Sequence, residues 1–339
     1  MTGNRSVFII AEAGVNHNGS LELAKKLVDA AVAAGADAVK FQTFVPEEVV
    51  SASATRAPYQ KTNMPGRDES QLEMIRRLAL SEEDFRILKD YCDRAGIVFL
   101  STPFDCRSVD LLDSLGVPLF KIPSGELTNH RFLRYVAARG KPLVVSTGMA
   151  TLGEVEEAVE VLRQAGAQEI TLLHCTTAYP APYEEVNLRA MLTLKQAFGL
   201  PVGYSDHTLG IEVAVAAVAL GACVVEKHFT LDRRMEGPDH RASLEPHELA
   251  AMVGAIRNVE KALGDGIKRP GAGERENMPY ARRSLVAAKD IAAGEVITEE
   301  KLAVRRPGTG IPPKMFDVVV GRQARVNIAA GTVLDWDMV

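Results

Sequence analysis

Eight short apolar runs, each ending in polar residues and each followed by a helical stretch, recur along the first 265 residues of this chain. They are VFIIAEAG (7–14), AVKFQT (38–43), IVFLSTPF (97–104), LFKIPSGE (119–126), PLVVSTG (142–148), ITLLHCT (170–176), PVGYSDHT (201–208) and CVVEKHFT (223–230). Continuous apolar strands alternating with amphipathic helices are what a parallel sheet covered on its outer face produces. Eight such units in about 260 residues predict a (β/α)8 TIM barrel, an α/β fold whose chemistry lies at the carboxyl ends of its strands. Those ends carry Glu12, Lys40, Gln42, Lys121, His174, His207, Glu226 and His228. That set is far too polar for strand termini that merely close a core.

The chain is 339 residues long, and a barrel of about 250 leaves room for a small second unit. The expected organisation is a barrel over 1–264, a linker over 265–281 and a β domain over 282–339. Ser20 opens a helix that Gly35 stops, and Ser81 with Asp84 forms a capping box for a helix ending at Gly96. Between strand two and its covering helix, Val45 to Arg77 is polar and contains Pro46, Pro58 and Pro65. A connection that long on the active face reads as a lid or substrate wall. The final barrel helix runs from Pro246 to about Leu263, and GDGIKRPGAGERENMP (264–279) follows with linker composition. Beyond it, DIAAGEVITEEKL (290–302) aligns with NIAAGTVLDWDMV (327–339), which predicts a compact pseudo-symmetric β unit.

A net charge of −5 with 47% hydrophobic and 24% charged residues argues for an ordinary globular protein with no general nucleic-acid or membrane-surface role. Any anionic ligand then has to be held by locally placed cations and backbone N–H groups. The longest apolar stretch, Val213 to Val225, is broken by Gly221 and is too short to span a bilayer. No secretory peptide is visible. The four cysteines, Cys92, Cys106, Cys175 and Cys223, lack CxxC spacing and read as reduced, buried thiols of a cytoplasmic protein.

His207 and His228 end strands that are neighbours in a barrel, so their imidazoles can converge on one divalent cation with positions left for water and substrate. Alternation along EKHF puts Glu226 on the face of His228 and turns Lys227 the other way. Glu226 is then placed to orient a metal or to act as acid or base. Lys40 and Gln42 share a face of strand two, and Lys121 lies on strand four; two lysines in a barrel mouth need an anion. Turns with Ser101 and Thr102, Ser124 and Gly125, Ser146, Thr147 and Gly148, and Ser205 supply hydroxyl and backbone donors suited to phosphate or carboxylate. A Schiff-base aldolase is the competing enzyme reading, because a barrel lysine in an apolar setting is a candidate amine nucleophile. A non-catalytic sugar-binding or structural barrel is the competing reading from another class.

Taken together, AEAGVNHNG (11–19), VKFQT (39–43), STPF (101–104), KIPSGE (121–126), STGM (146–149), LLHCTTAYPAPYEEVNL (172–188), GYSDHT (203–208), EKHFT (226–230), GPDHRASLEP (237–246) and RPGTG (306–310) resemble the sialic acid synthase family in unbroken order. The resemblance implies a transferase that condenses phosphoenolpyruvate with the open-chain aldehyde of an N-acetylmannosamine-type sugar, releasing phosphate by C–O cleavage. N-acetylneuraminate is the first expected product, N,N'-diacetyllegionaminate from 2,4-diacetamido-2,4,6-trideoxy-mannose the alternative, and pseudaminate a third. It further implies Mn2+ or Mg2+ on His207 and His228, with Glu226 beside the metal. Lys40, Lys121, Ser124, Ser146 and Ser205 match positions around the phosphate and carboxylate, and Thr102, from the hydroxyl-bearing turns, is a further substrate-binding candidate. Glu12, Gln42, Asn63 and Tyr179 match sugar-side or adjoining positions, and Glu12, Lys121 and Glu226 are the expected catalytic groups. The C-terminal unit is similar to antifreeze-like (SAF) domains, whose arginine, matched by Arg306 with Tyr280 nearby, implies an arm into the partner's site in a domain-swapped homodimer. Thr177 stands where some members have asparagine.

Overall fold

The computed structural model describes residues 6–64 and 69–339; Pro65 lies outside them. Eight strands, β1 (Phe8–Gly14), β2 (Ala38–Thr43), β3 (Val98–Pro103), β4 (Phe120–Ile122), β5 (Leu143–Ser146), β6 (Ile170–Cys175), β7 (Val202–Asp206) and β8 (Val224–His228), form one parallel sheet. The order β3-β2-β1-β8-β7-β6-β5-β4 hydrogen-bonds β1 to both β2 and β8, and β3 packs beside β4 to complete a nearly closed barrel. The predicted caps form. Ser20 accepts from the Leu23 N–H and Gly35 ends Leu21–Ala34 at φ 78°, a conformation that costs glycine little. Ser81 and Asp84 cap Glu82–Ala95 reciprocally.

Strand alternation divides the barrel interior into two levels. The lower level is apolar: Ile10, Ala38, Leu100, Val144, Leu173 and Val224 are buried together with Leu119 packed against them. Two residues further along the same strands, the inward positions are Glu12, Lys40, Thr102, Ser146, Cys175, Glu226 and Lys121. Outward-facing residues such as Ile9, Val39, Phe41, Val145 and Val225 join the helices in the main core.

The described part of the segment from Val45 to Arg77 contains short helices at Pro46–Val49, Pro58–Asn63 and Gln71–Leu78. Pro46 and Pro58 occupy first-turn positions, where a missing N–H costs nothing, so prolines that read as breakers are helix starts. Cys223 is exposed rather than buried, and Cys106 is half-buried. No described helix is long and apolar enough to cross a membrane.

The chain divides into compact units Met1–Gly264 and Asp265–Val339. Within the second, the stretch expected as linker contains a helix, Ala272–Ala281, none of whose residues is buried. Without an apolar face it gave no periodic signal. Strands β9 (Ser284–Ala287) and β10 (Leu302–Arg305) pair antiparallel around Leu285, Ile291, Ile297, Ile311, Ile328 and Leu334. The sequence repeat is a structural one: Ile291 and Ile328 exchange backbone hydrogen bonds at 2.8 Å. Asp290 accepts from the Ala330 N–H as Asn327 accepts from the Ala293 N–H.

Gly203 precedes Ser205 on the inner face of β7. A Cβ there would lie 2.3 Å from the Val224 carbonyl and 2.6 Å from Leu173 Cδ2. Gly203→Ala is expected to destabilise the barrel by about 1–3 kcal/mol, the usual cost of overpacking, in urea titrations; an unchanged midpoint would contradict this packing.

Candidate active site

The polar level of the barrel centres on a buried cluster of four charged side chains. Lys40 Nζ lies 2.7 Å from Glu12 Oε2 and 3.6 Å from Glu226 Oε2, and Lys121 Nζ lies 3.1 Å from Glu226 Oε1. Thr102 accepts a further hydrogen bond from Lys40 at 2.6 Å, and the Ser205 hydroxyl donates to Glu226 at 3.0 Å. All six side chains are buried. Burial opposes charge on both carboxyls, and the outcome differs with their partners. Glu12 is pushed up to about 7 by desolvation, which outweighs Lys40. For Glu226 the desolvation is overcome by Lys121 and Lys40, which hold it at about 2. Burial works against the Lys40 ammonium too, but Glu12 and Glu226 keep it charged and raise its pKa.

His207 and His228 stand beside this cluster with ring centroids 5.4 Å apart. Desolvation lowers the pKa of both, and for His228 the neighbouring His207 and Lys40 add to it, so both are neutral imidazoles near neutral pH. His207 Nδ1 lies 2.7 Å from the Thr176 carbonyl. That contact needs a donor, so it fixes the proton on Nδ1 and leaves the Nε2 lone pair available. His228 Nδ1 is buried with no hydrogen-bond partner among the described residues. Among the described residues no group of three or more His, Cys, Asp or Glu side chains is arranged to hold a metal. The side chains that could hold a divalent ion here are the two imidazoles, through the free Nε2 of His207 and the ring of His228, 5.4 Å away between centroids.

Tyr179 lies over His207 at 4.2 Å and edge-on to His228 at 5.9 Å, and stacks on Tyr59 at 5.1 Å. Through that stack the long segment after β2 reaches the site. A cavity of about 220 Å³ opens there, its lining combining the polar side chains Gln42, Gln60, Tyr179, His228 and Asp239 with the apolar Phe44, Val49, Met74, Ile75 and Leu78. Gln42 also approaches Glu12 Oε1 at 3.4 Å. Ser146 carries a buried hydroxyl with no hydrogen-bond partner among the described residues. The Ser124 hydroxyl accepts from the Gly148 N–H at 3.0 Å. Around Gly148 space is tight: a Cβ would meet Thr177 Oγ1 at 2.2 Å, Ser124 Oγ at 2.8 Å and Cys175 Sγ at 2.9 Å.

Some sequence candidates lie elsewhere. His174 bonds the Val186 carbonyl at 2.7 Å and packs on Tyr204, which is a structural use on the outer side of β6. Ser101 pairs with Thr43 at 2.6 Å. Asn63 is buried but commits its amide to the Pro238 carbonyl at 2.6 Å, tying the long segment to the 237–246 loop. Tyr280 is exposed in the second unit, and Arg306 donates to the Ala281 carbonyl at 3.1 Å. One group was missed. Asp239 lines the cavity, and its carboxyl makes no hydrogen bond or ion pair with another described residue and is pushed by burial alone to about 6. Its signal was the motif GPDHRASLEP, which has no strand periodicity to say which side chain faces inward.

A barrel whose mouth joins buried cations, a proton-accepting carboxyl and paired neutral histidines has the equipment of an enzyme acting on an anionic substrate. The NeuB family model matches residues 27–268, and the SAF domain model matches residues 282–339. The N,N'-diacetyllegionaminic acid synthase of Campylobacter jejuni subsp. jejuni is 54% identical over 95% of this chain and 97% of its own. That of Legionella pneumophila subsp. pneumophila is 49% identical over 97% and 94%. The crystal structure of N-acetylneuraminic acid synthetase from Leptospira borgpetersenii serovar Hardjo-bovis, in complex with citrate, superposes with a TM-score of 0.71 at 36% identity over 81% of this chain and 91% of that one. The chain belongs to the NeuB family, with a C-terminal SAF domain, and it is an enzyme of the transferase class.

The two carboxyls respond to pH with opposite sign. Glu226 is held at about 2 against 4.5 when unperturbed, so its ion pairs stabilise the fold above 4.5 and that contribution is lost as pH falls toward 2. Glu226→Gln is expected to flatten this part of the stability profile in thermal melts; a slope equal to that of the wild type would refute the assignment.

Proposed function

We propose that the protein condenses phosphoenolpyruvate with 2,4-diacetamido-2,4,6-trideoxy-mannose, giving N,N'-diacetyllegionaminate and phosphate. The observation that carries this reading is 54% and 49% identity, over nearly the whole chain, to two enzymes named for that product. The N-acetylneuraminic acid synthetase stands at 36%, so the neuraminate reading expected first remains a family-level one and the legionaminate alternative takes its place. The cavity supports the choice. At C6 the 6-deoxy sugar carries a methyl where N-acetylmannosamine carries a hydroxymethyl group, and the apolar lining residues Phe44, Val49, Met74, Ile75 and Leu78 suit the methyl.

In this account Lys40, Lys121, Ser124, Ser146 and Ser205 bind the phosphate and carboxylate, with Thr102 fixing the Lys40 ammonium. Gln42, Tyr179 and Asp239 orient the sugar, and Asn63 acts through the loop that carries Asp239. His207 and His228 hold Mn2+ or Mg2+, which supplies Lewis acidity for the sugar aldehyde when bound. C3 of phosphoenolpyruvate adds to the aldehyde carbon, leaving an oxocarbenium ion at C2; water adds there, and phosphate departs with cleavage of its C–O bond. Glu12, with a carboxyl near 7, delivers a proton to the new alkoxide, while Glu226 keeps Lys121 and Ser205 aligned and its negative charge beside the developing cation. Arg306 and Tyr280 complete the sugar site of a partner subunit in a domain-swapped homodimer, and the enzyme works in the cytoplasm.

Phosphate release is expected with the 2,4-diacetamido-6-deoxy sugar, to be at least about ten-fold slower with N-acetylmannosamine, as for loss of one well-packed group, and to stop with EDTA. Equal rates with both sugars would remove the acceptor assignment. His228→Ala is expected to lose bound Mn2+ and turnover together. A borohydride-trapped adduct on Lys40 or Lys121 would instead establish the aldolase alternative.

A further inference from the structure

Behind the two histidines, on the helix-facing side of the barrel, lies a second buried ion pair. Asp206 and Lys227 are register partners on β7 and β8. Lys227 Nζ donates to Asp206 Oδ2 and to the Thr208 carbonyl, both at 2.7 Å. Asp206 Oδ1 accepts from the Thr208 N–H at 2.9 Å and its hydroxyl at 2.8 Å. Neither charged side chain has any solvent exposure, and Thr208 is fully buried.

This placement is unusual for the layer it occupies. Outward positions on the neighbouring strands are filled by Val39, Phe41, Val145, Leu172 and Val225, and well-packed apolar residues generally serve stability at least as well as a buried ion pair. What the pair does that apolar residues cannot is fix direction and distance. Asp206 immediately precedes His207, and Lys227 immediately precedes His228. The strap thus joins the two strands at the positions next to both imidazoles, and its hydrogen bonds to Thr208 close the backbone turn around His207. His207 is held from the other side by Thr176.

We infer that Asp206, Lys227 and Thr208 are positioning residues for the imidazole pair, holding the His207 and His228 strand ends at the separation a divalent cation requires. They touch neither the cavity nor the charged cluster. The inference rests on the reading of His207 and His228 as metal ligands and adds the element that presets them. Groups behind metal ligands commonly change metal affinity by about 10–100-fold, so the effect is large enough to measure.

The test uses the full-length protein and Mn2+ alone, followed by electron paramagnetic resonance, with phosphoenolpyruvate affinity in EDTA measured by calorimetry beside it. The double variant Asp206→Asn/Lys227→Met removes both charges without leaving one unpaired, and the amide oxygen introduced at position 206 can still accept from Thr208. It is expected to bind Mn2+ about ten-fold or more weakly while its phosphoenolpyruvate affinity stays within about two-fold, because the Asp206 and Lys227 side chains face away from the inward-pointing Ser205 and Glu226 that precede them and Lys40 and Lys121 lie on other strands. A general loosening of the barrel would lower both affinities and overturn the inference, as would Mn2+ affinity equal to that of the wild type. Should the double variant not fold, Thr208→Val keeps the ion pair and removes one hydrogen bond; weaker Mn2+ binding at an unchanged melting temperature supports the inference, and unchanged binding overturns it. Wild-type protein that binds no Mn2+ would remove the metal reading itself, a failure distinct from either variant outcome.

Discussion

The interaction on which the site depends is the buried contact of Glu226 with Lys121 and, more loosely, Lys40. Two ammonium groups inside a barrel are tolerated only with counter-charges, and two carboxyls supply them unequally. Glu226 stays ionised, while burial leaves Glu12 close to neutral pH in its titration. The cluster therefore holds positive charge in reserve, on the lysines that the proposed function assigns to the phosphate and the carboxylate. Ser205 and Lys121 both contact Glu226 Oε1, so this carboxylate occupies ground that a substrate anion would otherwise share.

The rest of the barrel makes that cluster tolerable. The apolar level beneath it excludes water, which strengthens each charge–charge contact above, and Gly203 lets Leu173 and the β8 backbone close that level. Helices after β2 wall the mouth with apolar side chains and bring Tyr59 against Tyr179. The neutral histidines follow from the same exclusion of water: desolvation is the leading cause of the lowered pKa of each. The charged cluster, the neutral imidazole pair and the apolar lining share one cause, burial at the barrel mouth.

Much of this was legible in the sequence because strand period is strict. Alternation alone set Lys40 with Gln42 and Glu226 with His228, and turned Lys227 outward, as the structure has them. The apolar runs located all eight strands, and Ser20, Gly35, Ser81 and Gly96 marked helix ends by capping chemistry that is local to a few residues. What escaped lacks such a period. The three helices after β2 begin at prolines or are only four to eight residues long, and Ala272–Ala281 has no apolar face. Asp239 sits in a loop, where sequence gives no rule for side-chain direction. His174 and Ser101 show the opposite error, polar residues near strand ends whose side chains point away from the barrel axis.

In the proposed function the lysine-rich level of the barrel receives the anion while the imidazole pair beside it receives the metal. A crystal structure of the protein grown with phosphoenolpyruvate and Mn2+ tests this most directly, using the anomalous signal of manganese to place the ion. Manganese is expected on His207 and His228, with the phosphate and carboxylate on Lys40 and Lys121. Phosphoenolpyruvate bound away from both lysines, or manganese on a different set of side chains, would contradict it.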